Sequence, residues 1–156
     1  MRKTCGIYLI NKNDKLLITH PTYHPDFGSW SIPKGVPNTD EAFLDAAVRE
    51  TLEETGIDLS QMILNSNIKI ITLPNVVYKS GKKTLYSFLV INNEIGDIDV
   101  VCNSLVVRGK DSFPENDKHK WVHISHEYML RQYLHEAQLI HISDIVRIFN
   151  EIKSKP

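Results

Sequence analysis

Three glutamates in one short stretch of the chain have the spacing of a cation site. Glu50, Glu53 and Glu54 fall at i, i+3 and i+4, so a helix would carry their carboxylates within an arc of roughly 100°. Like charges at this spacing repel by a few tenths of a kcal/mol per pair in water. A divalent cation between them would remove that repulsion, because hard ions such as Mg²⁺ prefer oxygen ligands. A solvated acidic face has the same spacing and is the alternative interpretation.

The surrounding segment, residues 35–57, predicts an amphipathic helix. Leu44, Val48 and Leu52 recur at i, i+4 and i+8, which predicts an apolar stripe that faces a core. Thr51 lies near the edge of this stripe. The glutamates occupy the opposite side, so the helix would bury one face and present its carboxylates on the other.

Local signals mark both ends of this helix. Asn38 or Thr39 is predicted to cap the first turn, and Glu41 follows Asn38 at the spacing of a capping box. Gly56 can adopt the left-handed conformation that ends a helix. The preceding residues, 31–35, are predicted to form a loop whose last residue, a glycine, lets the backbone approach a ligand closely.

Length and composition predict a single globular domain over residues 1–156, with 42% hydrophobic and 24% charged residues. The formal net charge of −1 supplies no strong field for nucleic acid or an anionic membrane. Cys5 and Cys102 are too few to suggest a disulfide framework, and no run of residues has the length and apolarity of a membrane span or signal peptide. We therefore expect a cytoplasmic protein that has no membrane partner and is a monomer or a homodimer.

Apolar runs and turn signals predict the remaining elements. We expect a β-hairpin at 4–10 and 15–20, a helix at 126–133 and another at 140–152. Further strands are predicted at 30–32, 67–78, 84–91, 104–107 and 120–124. The predicted fold class is an α/β (α+β) sandwich in which helices flank a mixed β-sheet.

The helix and its loop resemble the Nudix box, GX5EX7REUXEEXGU, where U is a bulky apolar residue. Gly35, Glu41 and the run at 49–57, RETLEETGI, match every fixed position at the correct spacing, with Thr51 at a U position as the one departure. The chain therefore resembles the Nudix (MutT-like) hydrolases. This resemblance implies a Nudix-type fold and metal-dependent hydrolysis of the diphosphate bond in nucleoside diphosphate-linked compounds, by attack of water on phosphorus.

The resemblance also implies roles for individual residues. Glu50, Glu53 and Glu54 would hold Mg²⁺ (or Mn²⁺), with the carbonyl group of Gly35 as a further ligand. Glu50 and Glu53 are both candidates for the general base, and Arg49 is the third predicted catalytic residue.

Other residues near the box have two interpretations. Arg49 and Glu41 would orient the loop and the metal ligands, although Arg49 also has Asp45 at i−4 as a candidate ion-pair partner. Three residues are predicted to bind substrate, and each also fits an ordinary surface position: Lys34, Tyr23 and Glu115. Trp30 fits the core better than a base-stacking role. The lysines of the turn at 79–83 are predicted to be an exposed hairpin tip.

The sequence alone does not select one substrate. Candidates are dinucleoside polyphosphates, ADP-ribose-like compounds, nucleoside triphosphates and, less favoured by the net charge, the 5′ ends of RNA. In the family, a proline after the box suggests ADP-ribose and a tyrosine suggests dinucleoside polyphosphates, but Pro74 and Tyr78 both lie near that distance. A non-catalytic nucleotide-sensing domain is the alternative to an enzyme. Such domains usually lose box glutamates, and none is lost here.

Overall fold

The computed structural model describes residues 1–63 and 67–155. Residues 64–66, part of the predicted connecting segment 60–66, lie outside the described residues. The strands are β1 Arg2–Ile10, β2 Lys15–Pro21, β3 Lys34–Gly35, β4 Ile68–Thr72, β5 Val76–Val77, β6 Lys83–Asn92, β7 Leu105–Arg108, β8 Asp111–Pro114 and β9 Asn116–His123. The helices are α1 Phe43–Thr55, α2 Glu127–Tyr133, α3 Glu136–Leu139 and α4 Ile142–Ser154, with a 3-10 turn at Leu59–Gln61.

A mixed sheet forms the centre of the molecule. Its strand order is β4-β6-β1-β2-β9; the short strand β3 also pairs with β1, and β5 pairs with β6. The β1–β6 pair is parallel and the other pairs are antiparallel, including the predicted β1–β2 hairpin. β7 and β8 form a separate two-stranded sheet. The predicted mixed sheet is confirmed.

Helices cover both faces of this sheet because side chains alternate along the central strands. On β1, Ile7 and Leu9 pack in the cluster that includes the buried face of α1. Tyr8 and Ile10 point the other way and pack with α2 and α4. The predicted sandwich with flanking helices is therefore confirmed, and α1, which carries the glutamates, lies against the middle of the sheet.

The buried face of α1 differs from the predicted apolar stripe. Leu52 is 40% exposed, whereas Ala47, Thr51 and Thr55 are buried. The small side chains let the helix lie close to the sheet. The threonine hydroxyls can be buried because each donates to a carbonyl one turn back, Thr51 to Ala47 at 2.8 Å and Thr55 to Thr51 at 2.5 Å. This rotation of the helix turns Glu54 toward the interior.

The start of α1 is also different from the prediction. Ala42 is the N-cap and no side chain caps the helix, so the predicted capping box at residues 38–41 is wrong. Those residues form a preceding turn instead, in which the backbone N–H of Asn38 donates to the Glu41 carboxylate at 2.9 Å. The predicted C-terminus is confirmed, since Gly56 has φ 78° and its N–H donates to the carbonyl of Leu52.

Two predicted strands have different bounds because nonlocal pairing decides where a strand ends. The strand predicted at 67–78 is interrupted between β4 and β5, where Pro74 has no N–H to donate to a ladder. The strand predicted at 30–32 forms only isolated bridges, Thr19 with Ser31 and Trp30 with Leu134. Trp30 is buried, as expected for a core residue.

The second half of the chain contains elements that the sequence did not show. The brief strand predicted at 104–107 is one half of the β7–β8 hairpin, and β9 begins at Asn116 rather than at residue 120. Both predicted C-terminal helices are present as α2 and α4, with the unpredicted α3 between them. Among the described helices, none is long and apolar enough to cross a membrane.

Candidate metal and substrate site

Glu54 is the most deeply placed carboxylate of the predicted metal site. Its side chain is 4% exposed, and its oxygens accept hydrogen bonds from the Lys34 backbone N–H at 3.0 Å and from Asn116 Nδ2 at 2.9 Å. Burial raises the pKa of Glu54 to about 8, and the charge of Glu115 contributes to the rise. These two hydrogen bonds fix the orientation of the carboxylate.

Glu50 lies directly against the backbone of Gly35. A Cβ atom added to Gly35 would be 2.0 Å from Cδ of Glu50, so only glycine leaves room for this carboxylate. Burial raises the pKa of Glu50 to about 7, and the nearby charge of Glu53 adds to the effect. The loop glycine and the helix carboxylate are thus packed directly against each other.

Arg49 connects the preceding turn to the acidic face of α1. Its Nε and Nη2 donate to the two oxygens of Glu41, both at 3.0 Å, and Nη2 also donates to the Val36 carbonyl at 3.0 Å. Its Nη1 donates to Glu50 at 3.0 Å and to Glu53 at 3.2 Å. The two parallel bonds between Arg49 and Glu41 fix the orientation of both side chains. The geometry favours the predicted positioning role for Arg49 and Glu41.

One predicted contact of Arg49 is wrong. Asp45, at i−4, was the candidate ion-pair partner on the helix, but the described ion pairs of Arg49 are with Glu41, Glu50 and Glu53. The turn before α1 brings Glu41 to the guanidinium, and this contact depends on tertiary structure rather than on helical spacing.

The donor set fits a hard divalent cation. Within residues 1–63 and 67–155, no three acidic, histidine or cysteine side chains are already clustered for a metal ion. The box glutamates nevertheless supply three carboxylates from one helix, and two of them have raised pKa values because their buried charge is poorly compensated. A divalent cation would neutralise the negative charge of these carboxylates. Arg49 already neutralises part of it, through its ion pairs with Glu50 and Glu53.

The predicted substrate residues lie in different parts of the site. Lys34 and Glu115 line the same cavity as Glu54, which has a volume of about 270 Å³. The Glu115 carboxylate accepts a hydrogen bond from the Ser104 hydroxyl at 2.7 Å. Tyr23 does not line this cavity, but its ring contacts that of Phe113, which does, at a centroid distance of 4.9 Å. Two distant segments, β9 and the loop after β2, therefore converge on the box.

A second cleft, which we call the basic cleft, adjoins this cavity and was not predicted. It has a volume of about 180 Å³ and is lined in part by Lys34, Tyr78, Lys83, His135 and Gln138. Burial, together with the nearby charge of Lys34, lowers the pKa of Lys83 to about 8. The prediction of an exposed lysine tip is thus wrong for Lys83, which is half-buried, and holds for Lys79 and Lys82.

Asn116 is the other site residue that sequence reasoning missed. It is buried and donates to Glu54, from which it is separated by 62 positions in the chain. The available signal was its place beside Glu115 at the start of a strand, but a lone asparagine at such a position has many ordinary explanations.

Comparison with known proteins places the chain in a family. Residues 1–139 match the family model described as the NUDIX domain. The chain therefore belongs to the NUDIX family. The match includes the box at 35–57 and the strands that support it.

Individual relatives agree with this assignment. The asymmetrical bis(5′-nucleosyl)-tetraphosphatase of Rattus norvegicus is 33% identical over 105 residues, which are 63% of this chain and 68% of the rat protein. The mRNA-decapping enzyme subunit 2 of Saccharomyces cerevisiae is 31% identical over 100 residues, which are 60% of this chain but only 10% of the yeast protein. An Ap4A hydrolase structure from C. elegans is similar over 97% of this chain and 98% of that one, with a TM-score of 0.60 and 19% identity.

These findings confirm the predicted family and fold and support the predicted enzyme class, a hydrolase of nucleoside diphosphate-linked compounds. Use of divalent metal ions is general among Nudix enzymes. Cytoplasmic location, oligomeric state and the extent of the domain stay predictions.

Proposed function

We propose that this protein hydrolyses dinucleoside polyphosphates, using Mg²⁺ (or Mn²⁺) held by Glu50, Glu53, Glu54 and the carbonyl of Gly35. The observation that carries the choice of substrate is the basic cleft beside the candidate metal site. Pro21, His24, Ser31 and Lys34 line both the cavity that contains Glu54 and the basic cleft, so the two spaces are continuous.

The electrostatics of the basic cleft favour an anionic ligand. The pKa of Lys83 is lowered because its charge is partly buried and Lys34 lies close to it. Lys79 pairs with Glu136, but neither Lys34 nor Lys83 forms an ion pair among the described residues. Two neighbouring cations that are not in ion pairs are stabilised by a bound phosphate group. A chain of several phosphates would reach from the box glutamates into this cleft, whereas a single diphosphate would occupy less of it.

The position of Tyr78 supports the same substrate class. Its phenol is partly buried beside Gln138, and the centre of its ring lies 5.1 Å from Nζ of Lys83. Burial raises the pKa of this phenol, and the nearby Gln138 opposes part of the rise. Pro74, in contrast, does not line the basic cleft, and its carbonyl oxygen lies 2.6 Å from Nε2 of His141. The tyrosine typical of dinucleoside polyphosphate hydrolases is therefore the better placed of the two residues.

The side chains of the site would divide the work as follows. A bound divalent ion would neutralise phosphate charge and lower the pKa of a water molecule. Glu54 lines the cavity and already accepts two hydrogen bonds, and it would serve to bind the ion. Glu53, 44% exposed, and Glu50 are the two candidates for the general base. Arg49 and Glu41 would hold the preceding turn against α1.

A substrate panel tests the proposal. Diadenosine tetraphosphate, ADP-ribose, a nucleoside triphosphate and a capped RNA are each assayed for phosphate-bond cleavage with Mg²⁺, with Mn²⁺ and with EDTA. Diadenosine tetraphosphate should be the best substrate, and EDTA, Glu53→Gln and Glu54→Gln should each abolish most of the activity. Hydrolysis that persists without metal, or in both variants, would contradict the proposed site.

The basic cleft is tested separately with matched lysine variants. Lys83→Met should raise KM for diadenosine tetraphosphate about tenfold, because a phosphate contact of about 1.4 kcal/mol is lost. Lys82→Met, at an exposed position of the same turn, should leave KM unchanged. An equal effect of both variants, or of Lys83→Met on ADP-ribose as well, would argue against a polyphosphate role for the cleft.

The decapping relative gives the second candidate substrate, a capped RNA. A cap is itself two nucleosides joined by three phosphates, so the same cavity and basic cleft would receive it. The formal net charge of −1 supplies little attraction for the rest of an RNA chain. Preference for capped RNA over diadenosine tetraphosphate in the panel would select this alternative.

A further inference from the structure

The β7–β8 hairpin presents one of its faces to the substrate cavity. Val106 and Phe113 are opposite one another in the antiparallel register, so their side chains project to the same side. Both line the cavity that contains Lys34 and Glu54, as does Arg108. The guanidinium carbon of Arg108 lies 5.7 Å from the centre of the Phe113 ring, within the range of a cation–π contact.

Tyr23 stands opposite this face in an unfavourable backbone conformation. It has φ 67° at the third position of a turn that is closed by the His24 N–H donating to the Pro21 carbonyl at 3.1 Å. Turns of this form favour glycine or asparagine at that position, because a Cβ atom is strained there. The Tyr23 side chain is nevertheless large, aromatic and 81% exposed. Neither the turn nor the core explains a tyrosine here, and strain of this kind is concentrated at ligand sites.

The turn and the hairpin are fastened to each other. The Thr22 N–H donates to the Glu115 carbonyl at 3.0 Å, and the Thr22 hydroxyl donates to the Pro114 carbonyl at 2.5 Å. These bonds hold the Tyr23 and Phe113 rings at a centroid distance of 4.9 Å and an angle of 69°. Two aromatic rings and a guanidinium group are therefore arranged together at the mouth of the cavity.

We propose that Tyr23, Phe113 and Arg108 form a nucleobase clamp, which binds one base of the substrate at the rim of the cavity. The proposal rests on the proposed function for the phosphate part of the ligand. Flat aromatic bases stack on tyrosine, phenylalanine and arginine side chains, and the stacking is tolerant of base identity. A base held here would be joined through its ribose to phosphates beside Lys34 and Glu54.

Binding of AMP and of ribose 5-phosphate to the intact protein, measured by calorimetry with Mg²⁺ present, tests the clamp. The two ligands differ only in the base. Tyr23→Gly and Phe113→Ala should each weaken AMP binding about tenfold and leave ribose 5-phosphate unchanged. Tyr128→Ala, at an exposed tyrosine of α2, is the matched control and should change neither.

The stability of Tyr23→Gly separates a binding role from a structural one. Glycine relieves the strain at positive φ, so Tm should rise by about 2–4 °C while AMP binding weakens. Equal weakening of both ligands, or AMP binding that is unchanged in both variants, would overturn the clamp. A change of oligomeric state in Phe113→Ala with unchanged AMP binding would assign this face to self-association and overturn it too.

Failure of the proposed hydrolysis gives a different pattern. If no substrate in the panel is cleaved but the two variants still lose AMP selectively, the clamp stands and the proposed function falls. If hydrolysis is observed and the variants bind AMP normally, the proposed function stands and the clamp falls.

Discussion

Replacing Glu54 by glutamine should stabilise the metal-free protein at alkaline pH while it removes activity. Burial raises the pKa of Glu54 from its ordinary 4.5 to about 8. Between these two values the folded protein binds more protons at this site than the unfolded chain does, so stability falls as the pH rises. At about 1.4 kcal/mol per pKa unit, the raised pKa of Glu54 costs the metal-free fold about 1 kcal/mol at pH 5 and about 4 kcal/mol at pH 8, relative to an unfolded chain that ionises freely.

Glutamine has nearly the same shape but does not ionise, so it removes this cost. Its amide oxygen can still accept from the Lys34 N–H, and its amide nitrogen would face Asn116, whose side chain can rotate to present its oxygen. After a loss of about 1 kcal/mol for the altered bond, we expect a net gain of about 3 kcal/mol at pH 8 and almost none at pH 5. Glu50, with a pKa of about 7, would preserve part of the pH dependence.

Urea unfolding with EDTA at pH 5, 6, 7 and 8 measures this difference. The free energies of unfolding of wild type and Glu54→Gln should converge at pH 5 and separate progressively toward pH 8. Addition of Mg²⁺ at pH 8 should stabilise the wild type much more than the variant. A constant difference across the pH range would refute the reasoning, because it would mean that Glu54 is ionised in the metal-free fold at every pH tested.

Three further substitutions test other parts of the site. Gly35→Ala should reduce kcat at least a hundredfold, since the new methyl group would occupy the place of the Glu50 carboxylate; a kinetic assay near wild-type rate would contradict this. Arg49→Lys should lower kcat about tenfold and Tm by a few degrees, because lysine cannot make two parallel bonds to Glu41. A variant that keeps the wild-type kcat and Tm would show that this contact is dispensable. Gly56→Ala should cost about 1 kcal/mol in urea unfolding at its positive φ with little change in kcat, so a large loss of kcat would reveal a direct role in the site.

Sequence was sufficient for the features that depend on neighbours in the chain. The helix with three carboxylates follows from spacing at i, i+3 and i+4, and its end at Gly56 follows from the conformational freedom of glycine. Apolar runs separated by the turn at 11–14 were enough to predict the first hairpin. The fixed spacing of the box was enough to predict the family, because its positions lie within one loop and one helix.

Tertiary structure alone decided which carboxylates are buried and what surrounds them. Packing of small residues against the sheet rotates α1, so Leu52 is exposed and Glu54 is buried, with a pKa raised by desolvation. Long-range strand pairing brings Asn116 to Glu54 and Lys83 to Lys34. These contacts depend on the register of distant strands, for which no local pattern of residues is diagnostic. The reaction chemistry could therefore be predicted from one segment of the sequence. The basic cleft and the proposed clamp could be identified only in the folded structure.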